Sequence, residues 1–519
     1  MKKIIFYLVL ALISGLLSII LNFPDWDLWA RLAVGSIFFQ TGSVLKHDIF
    51  SYAPTKDLWI DHEWGSGVIF FFIIRHFGDI GLFAFKFIIL FLILLLVERI
   101  IRLYVDKSHN IALFYPIFVG FSILPAVQNV IRSQMFTFLF FTLWLYVLER
   151  VRRGENRLLW ILPVTMIIWA NVHGGFISGL GLLSLYAVGE FLNKNYSIKY
   201  FGTLILSILA TLITPYGFKY WPYIYEATTM PRSLIPEWQP ITLEGPANLF
   251  FGVPIHAYLG FMIFAILVLI IGIWLFIKKT DTDWVKILVA FVILYMGLKH
   301  QRHAFFFIIV ASSLFYYQYV LFFKALVERF KNKFGNKVES GFNALKIALS
   351  LGFIVILSSL FMKIIPSEPA KFIVNPGIYP VGSFEFIKQN NLSGNLATTY
   401  NWGSYALWKL YPQCRVLIDG RSEETYPQDI IDLTAIFSEK LSSRWTDAIN
   451  KFHTDIIVVS KRTHSLQDLM TLPGWQIVYD DAISVLLLPK NKVKNTYIRP
   501  NFDNQVYWHE DLSRHVNLN

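Results

Sequence analysis

Residues 80–97 read IGLFAFKFIILFLILLLV, and this stretch decides the fold class of the chain. Its single charge is Lys86, and its length fits a membrane-spanning helix, which takes about 20 mostly apolar residues. Similar runs recur through the first two thirds of the sequence. We predict about eleven transmembrane helices, over residues 4–22, 80–97, 110–125, 135–150, 158–171, 175–192, 201–215, 256–277, 284–299, 304–323 and 344–364.

The composition of the 519 residues agrees with a membrane protein. Hydrophobic residues make up 55% and charged residues 16%, whereas an ordinary soluble domain is about 25% charged. The net charge is +11, but the excess lysine and arginine lies in short gaps between apolar runs. There it orients the chain in the bilayer, so it does not indicate a nucleic-acid partner.

The distribution of basic residues predicts the topology. If the N-terminus lies inside, the inner gaps are rich in Lys and Arg, for example Arg152, Arg153, Lys278 and Lys279, while the outer gaps hold few. An odd number of spans then places the C-terminal part outside. We therefore predict a multi-pass protein of the cytoplasmic (inner) membrane, divided into a membrane domain over 1–365 with a long first outer loop at 23–79, a soluble outer domain over 366–490 and a polar tail over 491–519.

The unusual polar clusters all fall in gaps on this predicted outer side. They are Pro24-Asp25-Trp26-Asp27, His47-Asp48, Asp61-His62-Glu63, Asn171-Val172-His173 and His300-Gln301-Arg302-His303. One chemically equipped face is what an enzyme acting on lipid-carried substrates requires. In the first cluster, Trp26, Trp29 and Ala30 recur at helical spacing, which predicts an amphipathic helix lying in the membrane interface.

The first outer loop resembles a known family. Asp25-Trp26-Asp27 after the first span, His47 to Ser51, and Trp59 to Trp64 are similar to the first outer loop of the GT-C superfamily of polyprenyl-phosphate-dependent glycosyltransferases. Protein O-mannosyltransferases, oligosaccharyltransferases and lipid A aminoarabinose transferases belong to it. The resemblance implies a GT-C-like, all-α membrane fold with a small α/β outer domain.

The same resemblance implies a mechanism and its catalytic residues. GT-C enzymes invert the sugar carbon by direct displacement: a carboxylate takes the acceptor proton and the lipid phosphate departs. The family places its base in the first outer loop, which here gives Asp25 or Asp27. Each has a structural alternative, since Asp25 suits a helix N-cap and Asp27 suits an ion pair with Arg31 four residues on.

Two arginines are predicted to bind the departing phosphate. Arg132 and Arg302 lie in outer gaps, and a guanidinium matches phosphate through its fixed fork of donors. His303 is placed beside Arg302 as a further substrate contact. The alternative for both arginines is that they reach the lipid headgroups while their stems stay in the membrane.

The other predicted substrate contacts come from four further stretches. Asp48 is predicted to contact substrate, and the alternative is that it only forms a turn. His62 and Glu63 either orient a sugar, contribute to a metal site or form a solvated turn. Polar groups at membrane depth are usually functional, which singles out Asn171 and His173 at a helix end, although a hydrogen-bonded turn explains them too. Glu237 and Trp238 lie in loop 216–255, which either covers a sugar or rests at the interface.

The C-terminal part changes pattern. Strands at 395–400, 415–419 and 455–460 alternate with helices and are followed by a hairpin at 475–488, which predicts a largely parallel sheet with an antiparallel edge. Asp419-Gly420-Arg421 follows a strand, and we interpret it as a turn held by an internal Asp–Arg pair. The sequence contains no GxGxxG, GxxxxGK[ST] or GxSxG motif.

The outer-facing polar clusters, together with the GT-C resemblance, lead us to expect a glycosyltransferase; the resemblance implies that it is inverting and that it moves a sugar from a polyprenyl-phosphate donor to an envelope glycan, lipid or protein on the outer face. The reaction implies no certain cofactor, and a divalent metal stays open. A glycan transporter or assembly factor is the alternative from another class, and a GT-C scaffold that binds without catalysis is a third reading.

Overall fold

The computed structural model describes residues 2–19, 24–105, 111, 114–127, 131–230, 236–244, 247–250, 253–279, 282–334, 371, 373–438, 444–500 and 508–509, with isolated positions between 340 and 352. The helices of the membrane part are α1 (Lys2–Ile19), α2 (Trp26–Thr41), α3 (Trp64–Arg102), α4 (Phe114–Val127), α5 (Gln134–Val151), α6 (Ile161–Val172), α7 (Ile177–Leu192), α8 (Ile198–Ala210), α9 (Tyr220–Thr229), α10 (Leu259–Ile277), α11 (Trp284–Lys299), α12 (Ala304–Leu314) and α13 (Tyr316–Phe334).

The helix lengths support a multi-pass membrane protein. Among the described residues, four helices are long and apolar enough to cross a bilayer: Trp64–Arg102, Gln134–Val151, Gly174–Leu192 and Leu259–Ile277. The predicted span 304–323 is instead a pair, Gln301–Leu314 and Tyr316–Lys333, bent by 59°. The predicted count of about eleven spans is therefore not confirmed, and span 344–364 lies largely outside the described residues.

Helix α3 combines two predicted segments. Residues 65–77, which the sequence analysis placed in the long first outer loop, form its first part, and the predicted span 80–97 forms its second. The two parts meet at Gly78, whose φ of 59° and ψ of −155° are not helical. A positive φ of this kind favours glycine, which has no Cβ, so the sequence places the break at the residue that tolerates it.

Helices α2 and α3 touch through glycines. A Cβ on Gly35 would lie 2.2 Å from the carbonyl oxygen of Gly67, and a Cβ on Gly67 would lie 2.7 Å from the carbonyl oxygen of Arg31. Neither helix has room for a side chain at this crossing. The two glycines therefore set how closely α2 lies on α3.

We expect Gly35→Ala to destabilise the protein by about 1–3 kcal/mol, because overpacking of a close contact moves backbone. Thermal unfolding of the purified protein in detergent measures the effect. Gly202→Ala on α8 is the matched control, since a Cβ there meets nothing within 4 Å. Equal thermal midpoints for the two variants would contradict the close crossing.

The prediction that α2 lies in the membrane interface is wrong. Every residue from Leu28 to Ile37 is buried, including the charged Arg31. The face of α2 that sequence periodicity left for solvent is covered by the C-terminal part of the chain: the Trp29 ring lies 5.1 Å from that of Tyr405 and the Trp26 ring 4.1 Å from that of Tyr379.

The C-terminal part forms the predicted mixed sheet. Its strands are β4 (Gly394–Thr398), β5 (Cys414–Val416), β6 (Ile456–Ser460), β7 (Trp475–Asp480) and β8 (Ser484–Pro489), in the order β5-β4-β6-β8-β7. Strands β5, β4 and β6 are parallel, and β8 runs antiparallel to both of its neighbours, β6 and β7. The helices here are α14 (Val381–Gln389), α15 (Tyr400–Leu410), α16 (Ser422–Thr425), α17 (Gln428–Thr434), α18 (Arg444–Lys451) and α19 (Leu466–Met470).

Two smaller pairings lie outside this sheet. Strands β1 (Ala247–Phe250) and β2 (Val253–His256) pair antiparallel, almost wholly within the stretch 216–255 that the sequence analysis assigned to a loop. Strand β3 (Ile373–Val374) pairs with β9 (Trp508–His509), so part of the predicted loose tail is held. Asn390 also exchanges two hydrogen bonds of 2.8 Å with the backbone of Ile498.

The first outer loop joins the edge of the sheet. The Val416 amide donates to the Phe50 carbonyl at 2.9 Å and the Tyr52 amide to the Val416 carbonyl at 3.1 Å, so residues 50–52 run along β5 like a further strand. Beside this contact, the buried Arg421 pairs with Asp419 at 2.7 Å and with Asp48 at 2.5 Å. The loop and the sheet are therefore one packed unit.

Candidate active site

The start of α2 presents two carboxylates. Asp25 is the N-cap, and its Oδ1 accepts the Asp27 amide at 3.0 Å. This confirms the capping alternative, but capping uses one oxygen and leaves the charge available. The Asp25 side chain is 11% exposed and that of Asp27 48%, so Asp27 is the carboxylate that a substrate can reach.

Arg132 joins both carboxylates to a distant loop. Its Nε lies 2.7 Å from Asp25 Oδ1 and 3.6 Å from Asp27 Oδ2, and its Nη1 lies 2.8 Å from Glu237 Oε2. The expected pairing of Asp27 with Arg31 is replaced by this contact. Arg132 lies just before the start of α5, so the position of this helix places the guanidinium beside the carboxylates of Asp25 and Asp27.

Glu237 connects Arg132 to a second arginine. Arg302 Nη1 lies 3.4 Å from Glu237 Oε1, and the Arg302 guanidinium stacks 4.5 Å from the centre of the Trp238 ring. The ring of His303 lies 5.9 Å from that of Trp238. The structure thus brings these predicted residues into one cluster with Asp25, Asp27 and Arg132.

Glu63 is the centre of an adjoining group. Its Oε1 lies 3.5 Å from His173 Nε2 and 3.6 Å from His62 Nε2, and its Oε2 lies 3.5 Å from Arg31 Nε. Burial raises the pKa of Glu63, but the nearby positive charges, chiefly Arg31 and then His62, outweigh it and lower the pKa to about 2. Glu63 is therefore an anion at neutral pH.

The hydrogen bonds of His173 assign its tautomer. Its Nδ1 accepts the Gly175 amide at 2.9 Å, and the Thr137 hydroxyl, which accepts Trp169 Nε1 at 2.8 Å, lies 2.7 Å from the same nitrogen. Nδ1 is thus unprotonated and Nε2 carries the hydrogen, facing Glu63. Burial lowers the pKa of His173 to about 3, so the ring is neutral.

His62 is the charged histidine of the site. Its Nδ1 lies 3.1 Å from Glu424 Oε1 and 2.9 Å from the Tyr223 hydroxyl. Burial opposes protonation, but Glu424 and Glu63 together raise the pKa of His62 to about 9. The two histidines of the cluster therefore differ in charge at neutral pH.

The protein around Asp27 makes it a weak acid. Although nearly half of the Asp27 side chain is exposed, desolvation by the surrounding protein is the largest influence and favours its neutral form. Arg132 acts in the opposite direction, while Asp25, Glu63 and Glu237 add to the increase, and the pKa of Asp27 reaches about 7. This carboxyl can take up or release a proton near neutral pH.

Two predicted residues have structural partners instead. Asp48 is buried and accepts the Ser51 amide at 2.7 Å beside its pair with Arg421. Asn171 accepts Trp64 Nε1 at 2.8 Å and donates to the carbonyls of Ile167, inside α6, and Ile213, beyond the end of α8. Their polar atoms are engaged in this way, so their role as substrate contacts stays a prediction, and no step proposed for the site uses them.

Sequence reasoning missed three residues that support the cluster. Arg31 hydrogen-bonds Asp61 and lies 3.3 Å from Glu424, which comes from α16 of the C-terminal part. Tyr223 on α9 contacts His62. The buried Arg31 in an otherwise apolar helix was the only local signal, because its partner Glu424 is 393 residues away in the chain.

The site does not resemble a metal centre. In the portion of the chain that the structure covers, no three His, Cys, Asp or Glu side chains are grouped so that they could hold an ion. The carboxylates of Asp25, Asp27 and Glu237 surround the Arg132 guanidinium instead. We therefore derive no step through a metal.

Comparisons with known proteins identify the fold. No protein-family profile and no curated protein sequence matches the chain. The archaeal oligosaccharyltransferase AglB from Archaeoglobus fulgidus, solved with an inhibitory peptide and a dolichol-phosphate, is similar over 99% of this chain and 77% of its own, with a TM-score of 0.57 and 12% identity. The Archaeoglobus fulgidus oligosaccharyltransferase tethered to an acceptor peptide gives the same coverage and identity with a TM-score of 0.56.

A third solved structure is more distant. ArnT from Cupriavidus metallidurans, bound to undecaprenyl phosphate, matches over 93% of this chain and 97% of its own, with 13% identity and a TM-score of 0.46. The two oligosaccharyltransferase matches are sufficient for the fold. This chain therefore shares its fold with these oligosaccharyltransferases, which is the kind of fold that the resemblance of the first outer loop implied.

Proposed function

We propose that this protein is a membrane glycosyltransferase that transfers a sugar from a polyprenyl-phosphate donor to an envelope acceptor outside the cytoplasmic membrane. The observation that carries the proposal is the reachable carboxylate of Asp27 beside two arginines that share one anion position. The oligosaccharyltransferase fold supports the reaction class, and the dolichol-phosphate in the AglB structure supports a lipid-phosphate donor.

The anion position is formed by Arg132 and Arg302. Both guanidiniums contact the carboxylate of Glu237, at 2.8 Å and 3.4 Å. A phosphate has the charge and the acceptor oxygens to replace that carboxylate and bind both arginines. We infer that the donor phosphate displaces Glu237 and that the two arginines stabilise the charge that grows on the departing phosphate.

The acceptor is activated at Asp27. As the acceptor oxygen bonds to the sugar carbon, the bond from that carbon to the phosphate oxygen breaks and the acceptor proton passes to the Asp27 carboxylate. Attack opposite the leaving phosphate inverts the sugar carbon. The Glu63 carboxylate acts on Asp27 through its charge, and the Nε2 atom of the neutral His173 lies 3.5 Å from Glu63 Oε1.

The acidity of Asp27 predicts the pH dependence of transfer. The base must be ionised, and its pKa is about 7, so we expect the initial rate to rise with pH through about 7. Asp25 raises this pKa by like-charge repulsion, so Asp25→Asn should move the rise to lower pH. Rates measured from pH 5 to 9 for both proteins check this; an unshifted rise would contradict the coupling.

The experiment that tests the function measures both the release of the lipid carrier and the transfer of the sugar. Purified protein in sealed lipid vesicles receives polyprenyl-phosphate sugars from membrane extracts, with envelope glycans as acceptors. We expect free polyprenyl phosphate and a new glycosidic bond, both detected by mass spectrometry. If the glycan crosses the vesicle without a new bond, the protein is a transporter and the proposal fails.

A further inference from the structure

A cavity of about 230 Å³ lies between the start of α2 and the outer sheet. It is formed at the carboxyl ends of β4 and β6 by Thr399 to Trp402 on one side and by Ser460, Arg462 and Thr463 on the other, with Trp26 of α2 as a further wall. In open α/β sheets, ligands bind outside the carboxyl ends of the strands, at the point where successive connections leave a strand toward opposite sides of the sheet. Strand β4, with β5 and β6 as its neighbours, is at such a point.

The cavity contains a cation without an anionic partner. Arg462 donates from Nη2 to the Gly377 carbonyl. Among the residues that the structure describes, no carboxylate lies within ion-pair distance of this guanidinium. The remaining donors of Arg462 are therefore available to an anionic group of a ligand.

The other polar groups of the cavity fit hydroxyl groups. The exposed Asn401 side chain makes no hydrogen bond to the described part of the protein, and an amide both donates and accepts. The hydroxyls of Ser460 and Thr463 line the same space; Ser460 Oγ accepts the Arg462 amide at 3.1 Å. A ligand rich in hydroxyls satisfies such groups better than an apolar one.

Three aromatic side chains give the cavity its walls. The Trp402 indole donates to the Ile378 carbonyl at 2.9 Å, and the Tyr400 hydroxyl donates to the Gly420 carbonyl at 3.1 Å, so both rings are fixed. Trp26 is held against Tyr379, with 4.1 Å between ring centres. Rigid aromatic walls with a few polar groups suit the apolar faces of a sugar ring.

The cavity adjoins the proposed base. Trp26 precedes Asp27 directly, and a Cβ built on Gly420, the residue that accepts the Tyr400 hydroxyl, would lie 3.6 Å from Asp27 Oδ1. The volume of about 230 Å³ is below the usual range of about 300–1,000 Å³ for drug-sized ligands. It suits one ring near the base, with the rest of a glycan outside.

We propose that this cavity binds the acceptor, and that the acceptor is an anionic saccharide whose carboxylate or phosphate pairs with Arg462. The inference rests on the proposed function, since it places the hydroxyl to be glycosylated beside Asp27. The ring lies between Trp26 and Tyr400, and its hydroxyls bond to Asn401. Binding alone tests it, without a donor or turnover.

The experiment measures the binding of four small probes to the full-length protein in lipid nanodiscs by ligand-observed NMR. Glucuronic acid and glucose 6-phosphate carry a ring with either anion, glucose is the neutral ring, and succinate is an anion without a ring. We expect glucuronic acid or glucose 6-phosphate to bind at least about tenfold more tightly than glucose and succinate, because a charged hydrogen bond adds to the ring contacts.

Variants locate the binding. Arg462→Gln should lower the affinity for the preferred anionic sugar about tenfold, and Asn401→Ala should lower it for both ring types. Arg415→Gln, on an exposed arginine of β5 outside the cavity, is the matched control and should change nothing. Equal binding of glucose and the anionic sugars, no binding of any probe, or equal effects of the two arginine variants would overturn the inference.

The result is separable from the proposed function. Asp27→Asn should leave the binding of the anionic sugars unchanged while it removes transfer. If that variant still transfers sugar but the probes bind as expected, the catalytic proposal fails and the cavity remains a saccharide site. If transfer depends on Asp27 but Arg462→Gln leaves binding intact, the cavity assignment fails alone.

Discussion

Replacing Asp27 by Asn should lower sugar transfer by roughly 10²–10⁴-fold, which is the usual contribution of a general base. The amide keeps the size of the side chain and its place on α2 but cannot take the acceptor proton. Arg132 retains Asp25 and Glu237 as partners, so the fold should persist. Single-turnover transfer with saturating acceptor measures the effect on the chemical step.

Two matched variants make this result specific. Asp57→Asn removes an exposed carboxylate of the same loop and should retain full transfer. Asp25→Asn keeps the capping oxygen and should lower transfer much less than Asp27→Asn. If Asp27→Asn is as active as the parent protein, the base is misassigned; if Asp25→Asn alone is inactive, the two carboxylates have exchanged roles.

The second large effect concerns Arg132. Arg132→Gln should lower the rate of the chemical step about 10²–10³-fold, comparable to the loss of one donor that stabilises transition-state charge. Arg132→Lys keeps the charge but loses the fork, so it should recover only part of this rate. Release of polyprenyl phosphate in a single turnover is the measurement.

Arg132 also neutralises three carboxylates, so folding needs its own readout. Thermal unfolding of each variant separates a loss of structure from a loss of rate, and Arg75→Gln, on an exposed arginine of α3, is the control for the charge change. A folded Arg132→Gln protein within about twofold of the parent rate would remove Arg132 from the phosphate site. Glu237→Gln should lower the KM for the donor, because it removes the anion that competes with the phosphate.

Much of the cluster could be predicted from the sequence, because the side of the membrane on which a gap lies is predicted from the Lys and Arg content of short neighbouring gaps. Lys and Arg in short gaps orient each span, and this placed Arg132, His173, Glu237 and Arg302 on the same side as Asp27. The outer sheet was predictable for a similar reason, since strand and helix periods can be read in windows of a few residues. Both predictions depend only on neighbours in the chain.

The remaining features depend on partners that are far apart in the chain. Asp48 finds Arg421 and Arg31 finds Glu424 across more than 370 residues, and no local pattern encodes either pair. The same distance explains the wrong prediction for α2. Its periodicity suggested a helix with a solvated face, but the outer part of the chain covers that face. Helix lengths were overestimated where apolar residues continue past a helix end, as after Ala210.

The pairing of residues 50–52 with β5 affects how the C-terminal part would behave as an isolated fragment. An uncovered edge strand offers unpaired amides and carbonyls to any passing strand, and native proteins shield such edges. Here the shield for β5 belongs to a segment more than 300 positions earlier in the chain. A C-terminal fragment without residues 50–52 would expose the unpaired edge of β5 and would leave Arg421 without Asp48. We expect such a fragment to self-associate, whereas in the intact chain that edge is covered.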